Sequence, residues 1–156
     1  MRRWVLPARD RIRGHTPAVR LELTRRGDYA VRAMLALGQH PSAGWLSVPA
    51  VSAAMAIPER FLPRVMTDLV GAGLVVGRRG RTGGYRLARP ADQITLLDII
   101  GAAEAEPEPP TCILRGGPCA FDGRCAVHDA FSGARQAMRD HLAATSLAEV
   151  ARNGLG

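Results

Sequence analysis

Apolar residues recur along this chain with helical spacing in some segments and strand-like runs in others. After Thr24, a residue type that caps helix N-termini, Ala30, Val31, Met34, Leu35 and Leu37 follow at near-helical intervals. They predict a first helix that stops at Gly38. Pro41–Gly44 reads as a loop, Trp45-Leu46-Ser47 as a short strand, and Ser47 as the cap of a short helix over Val48–Met55. After a turn at Ala56-Ile57, a second helix is predicted from Pro58 to Val70. Leu62, Val65, Met66, Leu69 and Val70 form its apolar face, and Gly71 and Gly73 end it. Two short helices joined by a tight turn make a helix-turn-helix candidate. Leu74-Val75-Val76 then reads as a strand, Gly77–Gly84 as a glycine- and arginine-rich tip, and Tyr85-Arg86-Leu87 as the returning strand. Gly80, Gly83 and Gly84 are expected to supply positive φ at the tip. A β-hairpin directly after the second helix is the layout of a winged helix.

The back half continues the helical pattern. Thr95 caps a predicted helix over Leu96–Glu104, and residues 105–111 form an acidic, proline-rich break. A cysteine loop follows, Cys112–Cys125. Val127, Ala130, Phe131, Ala134, Met138, His141 and Leu142, spaced by threes and fours, predict a long helix over Ala126–Ala144. Ser146 and Glu149 have capping-box spacing and open a short helix to Arg152. The predicted fold class is mainly α with a small β-hairpin wing: a winged helix-turn-helix domain plus a long helix. The chain divides into a basic arm (1–20), the winged domain (21–90), a connecting helix and linker (91–111), the cysteine loop (112–125) and a C-terminal helical region (126–156).

Composition narrows the function classes. The 156 residues suit one domain, or a small domain with an appendage, and 47% are hydrophobic, as in ordinary globular proteins. Apolar stretches such as Gly71–Val76 are far too short to span a bilayer, and five residues between Arg3 and Arg9 leave no room for a signal-peptide core. A cytoplasmic protein without a membrane partner is therefore expected. All 21 basic residues are arginine. Residues 1–90 hold 16 Arg and 5 acids, a net +11; residues 91–156 hold 5 Arg and 9 acids, a net −4. The basic front half suggests a polyanionic partner; the plainer alternative is a solvated arginine-rich surface. Six of the arginines fall within residues 1–20, where no apolar period is visible. That segment reads as a disordered arm, or as sequence upstream of an initiator at Val19.

A recognition helix presents polar side chains to base edges while its back packs on the domain. On the second helix Glu59, Arg60, Pro63, Arg64 and Thr67 are the outward positions. Arg60, Arg64 and Thr67 are the candidate base or backbone contacts, because the guanidinium fork matches O6 and N7 of guanine. Pro63 lacks a donor and is best tolerated near a helix start. Arg78, Arg79 and Arg81 on the tip are candidate wing contacts, since a narrow minor groove attracts inserted arginine. The partner expected is double-stranded DNA.

The cysteines are spaced Cys112-x6-Cys119-x5-Cys125-x2-His128. Thiolates bind soft or borderline metals. The tight C-x2-C pair of structural zinc fingers is missing, so wide spacing in a glycine-containing loop favours an iron–sulphur cluster over zinc. Redox thiols or inert cysteines remain as further alternatives. A fourth ligand is needed; His128, one turn beyond Cys125, and Asp28, in the first turn of the first helix, are the candidates. An enzyme is not expected, because no substrate pocket or small-molecule substrate is evident.

Four segments together resemble a known family. They are Leu23-Thr24-Arg-Arg-Gly-Asp28-Tyr29-Ala30, Ile57-Pro-Glu-Arg-Phe-Leu62, the wing Arg79-Gly80-Arg-Thr-Gly83-Gly84-Tyr85, and Cys112/Cys119/Cys125. Over residues 21–152 the chain resembles the bacterial winged-helix repressors that carry an iron–sulphur cluster, the IscR/NsrR-like family. The resemblance implies a homodimer on a palindromic operator, with Val127, Phe131, Ala134, Met138 and Leu142 of the long helix facing the partner. It implies a cluster on the three cysteines, with His128 as fourth ligand of a 2Fe–2S centre or Asp28 of the other subunit as fourth ligand of a 4Fe–4S centre. It matches Arg79 to a minor-groove arginine. The function it implies is repression governed by nitric oxide, redox state or iron–sulphur supply; the alternative is a zinc-stabilised or cluster-free, thiol-based regulator.

Overall fold

The computed structural model describes residues 22–40, 44–104 and 126–153. The basic arm, the proline-rich break and the cysteine loop with Cys112, Cys119 and Cys125 lie outside the described residues. Six α-helices and one hairpin follow in the order α1 (Arg25–Gln39), α2 (Val48–Met55), α3 (Leu62–Gly71), β1 (Val75–Arg78), β2 (Gly84–Leu87), α4 (Leu96–Ala103), α5 (Ala126–Ala144) and α6 (Leu147–Asn153).

Helix α1 is the hub. The Thr24 hydroxyl accepts from the Gly27 N–H at 3.1 Å, the expected cap. A second cap comes from far along the chain: Glu104 Oε1 accepts from the Thr24 N–H at 2.7 Å, placing a carboxylate at the positive end of the helix. Ala30, Ala33, Met34, Leu35, Ala36 and Leu37 are buried, and α1 packs against α2, α3, α4, α6 and β2. The helix does not stop at Gly38 but runs to Gln39. A Cβ at Gly38 would sit 3.3 Å from Cγ of Leu147, so this glycine serves the close approach of α6.

Ser47 caps α2 through the Ala50 N–H at 3.3 Å, and Ala56 in the left-handed region (φ 51°) ends it. The predicted single helix from Pro58 to Val70 is divided. Glu59–Phe61 form a 3-10 turn, and the α-helix starts only at Leu62. That break puts Pro63 in the first α-turn, where its missing N–H forfeits no hydrogen bond.

The hairpin pairs Val75 with Leu87, Val76 with Arg86, Gly77 with Tyr85 and Arg78 with Gly84. Leu46 extends it on the β2 side through Leu46 N–H to Tyr85 O (2.9 Å) and Tyr85 N–H to Leu46 O (2.8 Å). Gly80 (φ 107°) and Gly84 (φ 151°) have the expected positive φ; Gly83 does not. Gly83 is instead demanded by space, since its Cβ would lie 2.2 Å from the Arg78 carbonyl oxygen.

Helix α4 opens with a full capping box between Thr95 and Asp98 and ends one residue earlier than predicted, leaving Glu104 to reach α1. Ser146 caps α6 through the Glu149 N–H at 3.2 Å. Backbone bonds from Leu96 N–H to Thr145 O (3.0 Å) and Leu147 N–H to Ile94 O (2.8 Å) return the chain to the winged domain. Leu147 is fully buried there. Among the described residues no polar or charged residue is buried, and no helix is long and apolar enough to cross a membrane.

Candidate nucleic-acid interface and metal-ligand positions

Helix α3 keeps Leu62, Val65, Met66 and Leu69 in the core and leaves the opposite side to solvent. Arg60 is exposed and lies over the Phe61 ring, 4.8 Å from its centroid; Phe61 in turn meets Tyr29 of α1 at 5.6 Å. The Arg64 side chain is 74% exposed, with Nε 3.8 Å from Asp68 Oδ1. Thr67 is exposed, but its hydroxyl donates to the Pro63 carbonyl at 2.8 Å, which leaves it only acceptor capacity outward. Asp68 was not legible as a functional position. It receives Arg26 of α1 through Nε at 2.8 Å, and no local pattern announces a pair 42 residues apart.

On the wing, Arg79 and Arg81 are exposed. Neither has an ion-pair or ring partner among the described residues. Arg78 differs. Its guanidinium carbon sits 4.6 Å from the Trp45 ring centroid, and its Nη2 donates to the Thr82 carbonyl at 2.6 Å. Arg86 also lies over Trp45, at 4.7 Å. Sequence reasoning missed Trp45 and Arg86; the observed register pairs Arg86 with Val76 and so puts it on the face of Arg78.

Of the metal-ligand candidates, Asp28 and His128 are described. Asp28 stands in the first turn of α1, and its Oδ1 accepts from Arg32 Nε at 2.9 Å. Its side chain is 39% exposed, so a ligand can reach it. His128 is half-buried in the first turn of α5. Among the described residues no three His, Cys, Asp or Glu side chains are gathered for a metal, and Cys112, Cys119 and Cys125 lie outside those residues.

On α5, Val127, Phe131, Ala134 and Met138 are exposed and Leu142 is half-buried. At 100° per residue these five fall on one side of the helix. Met138 and Leu142 border a groove shared with Leu97 and Gly101 of α4.

The family described as Rrf2, iron-dependent transcriptional regulator, matches residues 23–153. A Mycobacterium tuberculosis protein provisionally named as the HTH-type transcriptional regulator Rv1287 is 33% identical over 139 residues, covering 86% of this chain and 84% of that protein. Among solved structures, CymR, the global cysteine regulator of B. subtilis, superposes with a TM-score of 0.73 at 27% identity, covering 86% of this chain and 99% of CymR. T. potens IscR superposes with a TM-score of 0.70 at 28% identity, covering 85% and 88%. On the extent of the family match and the shared winged helix, the chain belongs to the Rrf2 family of transcriptional regulators.

Proposed function

We propose that this protein is a homodimeric repressor that binds a palindromic operator and responds to nitric oxide, redox state or iron–sulphur supply through a cluster. The observation that carries the DNA reading is geometric. Helix α3 exposes Arg64, the 3-10 turn just before it exposes Arg60, and the chain runs within a few residues into a hairpin whose tip exposes Arg79 and Arg81. In this reading Arg60, Arg64 and Thr67 address the major groove, and Arg79 and Arg81 the minor groove or phosphates.

Cys112, Cys119 and Cys125 are the proposed thiolate ligands, with Asp28 or His128 as the fourth. The donor set suits an iron–sulphur cluster: three thiolates within fourteen residues, an accessible carboxylate in α1, and an imidazole three residues beyond Cys125. Such a cluster supplies an oxidisable centre with exchangeable ligands. Asp28 stands two residues from Arg26, which holds Asp68 of α3, so the α1 turn adjoins both the ligand position and the recognition helix.

The test is duplex binding by anaerobically purified protein with and without reconstituted iron and sulphide, alongside absorbance spectra of the wild type, Asp28→Ala and His128→Ala. Unequal affinity of the two forms is expected, with one variant losing the spectrum. Equal affinity sinks the sensing claim, and two unaltered spectra sink both ligand assignments. A second reading on the same three cysteines is a regulator working through thiols or a structural zinc without a cluster. A colourless anaerobic protein with stoichiometric zinc would support the zinc form.

A further inference from the structure

We infer that Trp45 is a positioning residue for the wing, and that it draws Arg78 and Arg86 out of the DNA-contacting set. The inference rests on the wing addressing DNA. The hairpin carries Arg78, Arg79, Arg81 and Arg86 within nine residues and no acid between them, so its cations repel one another. An indole face attracts cations, and two of the four are held there, Arg78 at 4.6 Å and Arg86 at 4.7 Å from the ring centroid.

The backbone explains how one ring reaches both. Leu46 bridges to Tyr85, so the segment bearing Trp45 runs beside β2 as a third, minimal strand. Leu46 packs against the core, and strand alternation sends Trp45 to the other face. Arg86, opposite Val76, and Arg78, opposite Gly84, share that face. Gly84 carries no side chain between Arg78 and the ring, and a Cβ there would lie 2.4 Å from the Leu46 carbonyl oxygen. Arg78 also donates to the Thr82 carbonyl, which closes the turn from its own strand end. Two arginines thus brace the base of the tip, and Arg79 and Arg81 are left to meet DNA from a fixed frame.

Salt dependence separates a brace from a phosphate contact. The probe is a labelled duplex recovered by the wild-type chain from a random-sequence pool. Trp45→Ala is expected to weaken binding on the order of tenfold, the sum of two exposed cation–π contacts, with no fall in the slope of log affinity against log salt. Trp45→Phe, which keeps a ring face, is expected to recover most of the loss. Arg78→Gln is expected to weaken binding without changing the slope, and combining it with Trp45→Ala to add less than its separate effect. Arg79→Ala serves as the reference for a phosphate contact, with the slope falling by about 0.9. Wild-type affinity in Trp45→Ala, or a slope in Arg78→Gln that falls like that of Arg79→Ala, overturns the inference. Should Trp45→Ala not fold, Arg78→Gln and Trp45→Phe still decide. Failure of the wild-type chain to recover any duplex overturns the DNA reading itself.

Discussion

Arg26, in the first turn of α1, donates through Nε to Asp68 Oδ2 of α3 at 2.8 Å, and its Nη2 contacts the same oxygen. The Asp68 side chain is 13% exposed and that of Arg26 42%. The pair ties α3, the proposed recognition helix, to α1, which bears Asp28, and Asp68 also faces Arg64. Asp68→Ala is expected to destabilise the fold by about 1 kcal/mol, because Arg26 can rehydrate once released. It should weaken duplex binding as well, by loosening α3 against α1. Urea denaturation and duplex titration measure the two effects; an unchanged midpoint and affinity would show that the pair holds nothing.

Arg32 distinguishes the two fourth-ligand candidates. Its Nε occupies Asp28 Oδ1 at 2.9 Å, and its Nη1 reaches the Met55 carbonyl at 3.5 Å. Ligation by Asp28 competes with that ion pair. Arg32→Ala is then expected to slow iron loss to a chelator, whereas ligation by His128 predicts no change. A chelator challenge followed by absorbance reads the difference.

The apolar stripe on α5 predicts association of two chains. Val127 and Met138 are each 37% exposed and Phe131 41%, and they line up on one side of α5, where a second copy of the helix would cover them. In an isologous dimer each substitution acts twice. Phe131→Asp or Met138→Asp is expected to raise the dimer dissociation constant by more than about a hundredfold, from ~1.5 kcal/mol or more lost per copy. Sedimentation of wild type and variants at micromolar concentration checks this; a monomeric wild type refutes it.

Two glycines give contrasting predictions for the same substitution. In Gly83→Ala the new Cβ meets the backbone oxygen of Arg78, which cannot move without opening the tip. A cost of about 2 kcal/mol or more to the wing is expected, expressed as lost duplex affinity. In Gly27→Ala the Cβ meets Oε1 of Glu104, the far end of a flexible side chain. Displacing it offsets the gain in helix propensity, so thermal stability should change by under about 1 kcal/mol. Thermal melts and duplex titrations of both variants provide the check.

The helix starts at Thr24, Ser47, Thr95 and Ser146 were legible in the sequence, as was the hairpin, although β1 runs on to Arg78 and β2 begins at Gly84, which shortens the tip expected over Gly77–Gly84. Each depends on groups within about four residues, or on a short apolar run closed by glycine. The outward placement of Arg60, Arg64, Arg79 and Arg81 was legible for the same reason, as the complement of the apolar face. Partners were less so. Arg78 read like its neighbour Arg79, because both are exposed arginines on a glycine-rich strand end; the Trp45 ring distinguishes them, and it arrives from before α2.

Local sequence thus sets the element types, their caps and the side of each helix that faces water, since these follow from periodicity and from backbone groups a few residues apart. Packing in three dimensions sets what no short window contains. It carries α1 past Gly38 because Leu147 approaches there, and Glu104 adds a second cap to α1. It gives Asp68 to Arg26 and two wing arginines to one indole. Those choices depend on which segments the core brings side by side, and charge or aromaticity alone does not specify the partner.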